Sequence, residues 1–565
     1  MPVLIGLLRH VSTVFAVTPN QRLLAAGADP LPTYLDQCQA APETQLETLL
    51  DIVGRSADTE WGRAHDFSGV RSVDDFRARV PLTEWSDYEA VSERMQEGET
   101  NLTFPGAPEF FVLTSGTTGF SKLIPESAAG LAAKRATSDL RIAAVVPHVP
   151  SLRDEGAILT FANRRVFGTT PSGIEFGSAS GSNLTLSPPL GPSRLAYPLS
   201  ILERVDHEHD VDYLILLCAL GADVRAIRGN NAGRLITLLE AADARRDDLI
   251  SDIRHGTITP SITLEPELRA SLTQRPNPAR ADALDAAIAE RGHLDAAAAW
   301  PNLAALIFWL SGSVGRYMAD LLPHAPSGVT TFDIGYGASE GRFNVPLNPG
   351  VSAGPLALHA QFLEFVPLDG GDPLLAHEVS DGASYRLVTT SYSGLYRYDI
   401  HDIVRVDGFT GGSPHIVFES KGADVGNVAG EKIAGSELMR EIDAALLQAG
   451  LTVRHYCVVT DLDRHGYDVC LELDPASAPP PANLADITEA ALTRTGMIYP
   501  YFRGQGLIAP SRTLVMASGW QEQLYATRTG AGVSRSQVKL PLIVLEVPHP
   551  SLTTVALMSS ALTPD

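Results

Sequence analysis

The sequence predicts an α/β protein in two parts, a large mixed-sheet part followed by a smaller α+β part. Three observations carry this. Apolar runs of strand length at 110–113, 157–161, 213–218 and 304–310 alternate with helical stretches, the pattern of a core with at least partly parallel sheets. From 362 to 418 shorter alternating runs, divided by Gly and Asp, read as antiparallel strands in a small barrel or distorted sheet. After Lys421 the pattern changes again, to helices and strands that form a compact unit of their own.

Each element has its reason. Residues 1–60 read as helical, with Leu46, Leu49, Leu50 and Val53 at helix spacing. Short helices are expected around Asp74, Asp75 and Phe76 and around Trp85 and Tyr88, with Pro81 as the break between them. A helix at 233–242 places Leu235, Leu238 and Leu239 on one face, and another covers 281–291 after a turn at 274–278. Strands are expected at 385–390 and 403–406. The last part holds a helix at 436–447, strands at 453–459 and 467–473, a proline-rich loop at 475–481, a helix at 485–494 and a final strand at 540–547. Gly422, Gly426 and Gly430 make a hinge plausible near the boundary. The expected division is 1–421, a hinge at 422–428, and 429–565.

Composition bounds the function. A length of 565 residues suggests roughly three or four domain-sized units. The apolar share of 44% fits a globular protein with a substantial core. A formal net charge of −23 argues against a nucleic-acid surface, which needs clustered Lys and Arg. Cys38, Cys218, Cys457 and Cys470 form no CxxC pair, so a disulfide framework is not expected and a reducing, cytoplasmic setting is. Arg9 and His10 interrupt the apolar start, and no apolar span has membrane length.

The chemistry is concentrated in a few segments. Thr114, Ser115, Gly116, Thr117, Thr118 and Gly119 follow the run at 110–113 and lead to Lys122. Glycines let backbone approach oxygen atoms, successive N–H groups form an anion-binding concavity, and hydroxyls add donors without charge. The loop is not a Walker loop, because Phe120 and Ser121 separate the last glycine from the lysine. Ser311, Gly312 and Ser313 end a strand with small residues that let a ligand lie against backbone. Tyr336, Gly337, Ala338, Ser339, Glu340 and Gly341 place an aromatic ring, tiny residues and a carboxylate side by side. The ring suits a flat base or acyl group, and the carboxylate suits Mg²⁺, which takes oxygen ligands. The run from Gly394 to Arg405 contains Asp402, a candidate acceptor for ribose hydroxyls, with Asp399 as its competitor. Lys539 stands before Pro541 near the end of the chain. His207, Glu208, His209 and Asp210 have the wrong spacing for a helical metal motif, and no GxGxxG follows a strand.

TSGTTGFSK, YGASEG, GLYRYDIHDIVRV and SQVKLP occur in that order, and on these motifs the chain resembles the Gretchen Hagen family of acyl acid–amido synthetases. The resemblance runs from about residue 40 to 547. It implies an adenylate-forming fold with a mobile C-terminal lid. It also implies a reaction in which a carboxylic acid attacks the α-phosphate of ATP, after which an amine displaces AMP. By position, Thr114 to Gly119 would hold phosphate, with Ser115 close to the chemistry. Lys122, Tyr336, Gly337, Ala338, Ser339, Asp402 and Lys421 would surround the nucleotide, and Glu340 would hold Mg²⁺. Asn230, Asn231, Ser311, Gly312, Ser313 and Tyr336 would line the acyl pocket. Lys539 would stabilise charge when the lid closes.

The chain departs from the family pattern in four places. Phe120 and Ser121 shorten the link to Lys122, His401 stands where glycine is common, and Lys421 stands where arginine is usual. The pocket segment Arg228, Gly229, Asn230 and Asn231 is more polar than an aryl-acid pocket. The bias towards Ala, Arg, Asp and Pro suggests a GC-rich bacterial genome. Transfer to a thiol such as coenzyme A, and a non-catalytic binding protein, are the competing readings. The partners expected are a small carboxylic acid and an amine or amino acid, without nucleic acid or membrane, in a monomer or a homodimer.

Overall fold

The computed structural model describes residues 29–113, 122–153, 156–186, 190–311, 317–421, 425–426, 428, 433–461, 464–495, 498–504, 508–529, 540, 542–544 and 554–559. Their contacts divide the chain into two bodies, 1–400 with 404–418, and 401–403 with 419–565.

The first body opens with helices α1 (Leu31–Gln39) and α2 (Ala41–Arg55), as the leucine spacing predicts. Strands β1 (Phe110–Leu113), β2 (Leu123–Glu126), β4 (Val166–Thr169) and β5 (Glu175–Gly177) form a mixed sheet in the order β2-β1-β5-β4. Strands β3 (Ala157–Thr160), β6 (Val224–Arg228), β7 (Ala305–Phe308) and β8 (Thr330–Asp333) form a parallel sheet in that order.

Both faces of the parallel sheet are covered, as parallel sheets require. Ile158, Ala226, Ile307 and Phe332 pack on Val145 at the end of helix α3 (Ala128–Val145) and on Val149 and Leu152. Leu159, Ile227, Leu306 and Phe308 face the larger core. That core is built with helices α4 (Glu208–Gly221), α5 (Ala232–Ala244) and α6 (Pro278–Arg291). Side-chain caps start two of these. Asn231 Oδ1 accepts from Gly233 N at 2.8 Å, and Asn277 Oδ1 from Arg280 N at 3.1 Å.

One expected strand is a helix. The run at 213–218 lies inside α4, and every residue from Tyr213 to Leu220 is buried. A helix buried on all sides has no polar face, so its sequence carries no 3.6-residue period. The strand of this region is β6, whose Arg225 and Arg228 break the apolar signal.

The third sheet holds β9 (Gly354–Pro355), β10 (Gln361–Pro367), β11 (Ser384–Ser391), β12 (Tyr398–Thr410) and β13 (Ser413–Lys421), in the order β10-β11-β12-β13-β9. The pairs β10–β11 and β13–β9 are antiparallel, in keeping with the short alternating runs.

In the second body, β14 (Val425–Gly426) pairs with β15 (Ile433–Ala434). Strands β16 (Val453–Asp461), β17 (Gly466–Leu473), β18 (Arg512–Met516), β19 (Ile543–Val544) and β20 (Thr554–Ser559) form a sheet in the order β19-β16-β17-β18-β20. Helices α7 (Gly435–Gln448) and α8 (Leu484–Thr493) bury Leu438, Ile442, Leu446, Leu484 and Leu492 against Val458, Val469 and Leu471. The final strand expected at 540–547 is narrower here. Only Ile543–Val544 is strand among the described residues of that stretch, and β20 follows it. Cys457 and Cys470 face each other across β16 and β17, and all four cysteines are buried free thiols.

Candidate active site

The site is built at the carboxyl ends of the parallel strands, where α/β sheets bind ligands. Asp333 ends β8 and is 5% exposed. Its carboxylate accepts from Leu310 N at 2.9 Å and Gly335 N at 2.7 Å, which ties the end of β7 to the loop after β8. Trp309 Nε1 donates to Gly335 O at 3.0 Å and closes the same junction. Burial pushes the Asp333 carboxyl up, against the pull of these donors and of Ser352 and Arg141.

The loop after β8 is held by arginines that sequence reading did not single out. Arg141, on α3, donates from Nη2 to Tyr336 O at 2.8 Å and from Nε to Asn344 O at 3.0 Å. A Cβ at Gly335 would stand 2.4 Å from Arg141 Nε, so only glycine fits there, and its φ of 90° agrees. Arg342 Nη1 donates to Ala338 O at 2.7 Å and Gly341 O at 3.0 Å. With Asn183 presenting its amide oxygen, Arg342 Nε donates to it at 3.2 Å. Gly337 pairs with Arg342, and Ala338 N donates to Gly341 O at 3.0 Å, so the segment folds back on itself with Glu340 at its tip. The half-buried Glu340 carboxylate makes no hydrogen bond or ion pair among the described residues. With the Lys134 ammonium as a charged neighbour, an oxygen donor so placed fits a divalent cation carried by phosphate oxygens.

Beneath the loop lies a buried ion pair. Lys134 on α3 contacts Glu126 at the end of β2, both buried, and donates to Ser339 O at 2.7 Å. Ser393 Oγ donates to the other Glu126 oxygen at 2.9 Å. Burial pulls the Lys134 ammonium down, and Glu126 opposes that pull. Lys134, Ser138 and Arg141 fall at i, i+4 and i+7, one polar stripe in an alanine-rich helix. That stripe is the sequence signal that could have found them.

The expected residues are placed as follows. Thr114, Ser115, Gly116, Thr117, Thr118, Gly119, Gly312, Ser313 and Lys539 lie outside the described residues. The Lys122 ammonium stands 5.6 Å from the centroid of the Trp85 ring. The Tyr336 ring is 7% exposed and packs against Phe343 and Phe418, with centroids at 4.8 and 5.4 Å. A ring so packed belongs to the core. Tyr336 also serves the loop through its backbone N–H and carbonyl. Tyr336 N donates to Asn344 Oδ1 at 2.7 Å. Asn231 is taken up by its helix cap, whereas Asn230 has no hydrogen bond among the described residues. Ser311 follows the Trp309–Leu310 junction. Lys421 is the last residue of β13. Asp402 is 2% exposed and groups, with His401 and Ile403, with the second body.

The motif from Gly394 to Arg405 is largely architectural. Arg397 forms a two-pronged pair with Glu364 at 2.9 and 3.0 Å, and Arg77 reaches the same carboxylate at 2.8 Å. Tyr396, fully buried, donates to Thr103 O. A Cβ at Gly394 would lie 2.2 Å from Thr103 Oγ1. Asp399 is ion-paired with Arg386 at 2.6 Å. His401 has a φ of 56°, a left-handed conformation that favours glycine and accounts for glycine at this place in the pattern.

Two features lie apart from this constellation. A groove of about 530 Å³ lined by Asp29, Arg135, Asp139, Ile142, Arg153 and Leu190 contains none of the expected residues. His293, Asp295 and His324 could converge on a metal. The Asp295 carboxylate, however, is already committed to Arg291 at 2.8 Å and Ala298 N at 2.9 Å.

Residues 31–329 match the GH3 family N-terminal domain, 354–421 the GH3 family central domain, and 436–548 the GH3 family C-terminal domain. The chain belongs to the GH3 family. The family named by the motifs is thus borne out. This GH3 chain is 25% identical over 503 residues to a 4-substituted benzoates–glutamate ligase of Arabidopsis thaliana, covering 82% of this chain and 86% of that one. An acyl acid amido synthetase solved in complex with 2,4-DB shares its fold at a TM-score of 0.84 and 22% identity, over 95% of this chain and 98% of that one. A 2-hydroxyisobutyryl-CoA ligase solved with 2-HIB-AMP gives 0.51 and 15%, over 89% of both chains. The α/β fold expected from the motifs is therefore present, and the glutamate ligase and the amido synthetase are by name enzymes that form carbon–nitrogen bonds.

Proposed function

We propose that this GH3 protein is an ATP-dependent acyl acid–amido synthetase. A carboxylate oxygen of the acid attacks the α-phosphorus of ATP, the bond to the β-phosphate oxygen breaks, and pyrophosphate leaves with the electron pair. The amine nitrogen of an amino acid then attacks the acyl carbon, the bond to AMP breaks, and the ammonium proton is lost to water. The observation that carries this reading is the match along three successive domains to a family whose relatives are named as such ligases.

The roles follow from charge. A carboxylate is ionised at neutral pH and needs no strong base, so the first step asks for charge neutralisation and in-line placement. Mg²⁺, when bound, neutralises the phosphate oxygens. Glu340 would hold it, with Lys134 and Arg342 fixing the backbone on which Glu340 stands. Thr114 to Gly119 and Lys122 would cradle phosphate, Asp402 would take the ribose, and Gly337, Ala338, Ser339 and Lys421 would flank the nucleotide. Asn230 and Ser311 to Ser313 would line the acyl pocket. Lys539 would act from a lid at 429–565 swinging on 422–428. Four buried free thiols support a reducing, cytoplasmic setting, and no described helix is long and apolar enough to cross a membrane. The composition supports a bacterial source.

Acid-dependent exchange of labelled pyrophosphate into ATP, followed by product analysis with amino acids and with coenzyme A, tests the reading. Amide formation is expected. Exchange that yields only thioester would overturn it, and no exchange with any acid would favour a binding protein. Lys539→Ala should keep nucleotide binding and slow adenylation; unchanged single-turnover adenylation would remove that role.

A further inference from the structure

Three arginines converge where β6 and β8 end, and they are not alike. The guanidinium groups of Arg141 and Arg342 are spent on the backbone carbonyls of the loop from Tyr336 to Asn344. The guanidinium of Arg228, the last residue of β6, makes no hydrogen bond or ion pair among the described residues, and its Nε is shielded from solvent with no acceptor there. It shares a strand face with Ala226, which packs towards the α3 side of the sheet. Burial first, then the Arg342 charge, pull Arg228 down to about 10, so it stays charged at neutral pH. The one carboxylate that acts on it, Asp139, is half exposed and lies 3.8 Å from Arg135. Two residues on, Asn230 also lacks a partner among the described residues.

Arg228 is half-buried, and a guanidinium whose Nε is dry and which lies beside two other cations gains most from an anionic ligand. We propose that the acid activated by this protein carries a second anionic group, a carboxylate or an equivalent oxyanion, and that Arg228 receives it. The inference rests on the amido-synthetase reading and adds the substrate class. The carboxylate to be adenylated goes to the nucleotide, while the distal anion makes paired N–H···O bonds with Arg228. An acid with an apolar tail would bury Arg228 further without pairing it, so the same residue rejects such acids.

The test uses the full chain and acids matched in shape, terephthalate against 4-methylbenzoate and adipate against heptanoate. Pyrophosphate exchange should favour the dianion about a hundredfold in kcat/KM. Arg228→Gln should abolish that preference mainly through KM, and Arg228→Lys should restore part of it. A parent enzyme that treats both members of each pair alike, or an Arg228→Gln variant that keeps the preference, would overturn the proposal. If no acid supports exchange, the synthetase reading itself falls, and equilibrium binding of the same pairs by calorimetry decides Arg228. Tighter binding of the dianion that Arg228→Gln removes supports the site, and equal binding ends it. Thermal melts of both variants separate a folding defect from lost recognition.

Discussion

Two groups of buried charge in the first body show opposite designs. Around Glu364, one carboxylate is shared by Arg77 and Arg397, and the remaining donors of both arginines reach Pro373 O and Val80 O. Around the ends of β6 and β8, Arg141, Arg228 and Arg342 gather without a carboxylate ion-paired to any of them among the described residues; Asp333 and Glu126 act on Arg141 and Arg342 from a distance, and Asp333 is held by backbone N–H groups. The first group is closed and fastens the family's most recognisable motif to the helices of the N-terminal region. The second is open by one guanidinium. The difference separates charge buried for architecture from charge buried for a ligand. The closed group satisfies itself, and the open one is completed from outside.

The comparison can be broken at its closed end first. Glu364→Ala leaves two arginines without their carboxylate and should cost about 3–5 kcal/mol in urea unfolding. A loss under about 1 kcal/mol would show that the closed group is not the fastener. Lys134→Met isolates Glu126 in the same way and should cost about 3 kcal/mol. It should also weaken Mn²⁺ binding by the ATP complex in electron paramagnetic resonance, because Lys134 holds the carbonyl of Ser339 beside Glu340. Unchanged Mn²⁺ binding would confine Lys134 to stability.

A third outcome concerns pH. His359 is fully buried, with Nε2 3.0 Å from Thr137 Oγ1 and Nδ1 without a partner among the described residues. Burial first, then Arg141, pull its imidazole down to about 3. The unfolded chain takes a proton near pH 6.5 that the folded chain refuses, so this stability is present above that pH and is lost as pH falls towards 3. The loss should be about 2–3 kcal/mol between roughly pH 6.5 and 4.5, and His359→Gln should flatten that limb. A variant with the same acid limb as the parent would assign it to carboxylates instead. The smallest effect has the opposite sign. His401→Gly relieves a left-handed histidine and should add about 0.5–1 kcal/mol; a loss of stability would mean that the imidazole contributes more than the strain costs.

Much of the fold was legible in sequence because it depends on local patterns. The leucines of α2 have helix spacing, the strand runs of β1 and β7 are apolar throughout, and the glycines before Tyr336 and Tyr396 mark close approaches. The run in α4 was misread because total burial erases the period that distinguishes helix from strand. Glu340 was legible as a carboxylate on a tight loop. Of its supports, Lys134 and Arg141 left only the trace of a polar stripe on α3, and Arg342 left none, since these are ordinary surface residue types until the fold encloses them.

The sequence by itself determined the family, through four motifs in a fixed order, and with it the alternation of strands and helices. Only the tertiary structure decided which charges are satisfied. Glu364 lies 33 residues from Arg397 and 287 from Arg77, so no local pattern announces that it joins them. Arg228 looks like a solvated strand-end arginine until the fold half-buries it and shields its Nε. Pairing and desolvation are properties of distance in space, which chain order does not encode.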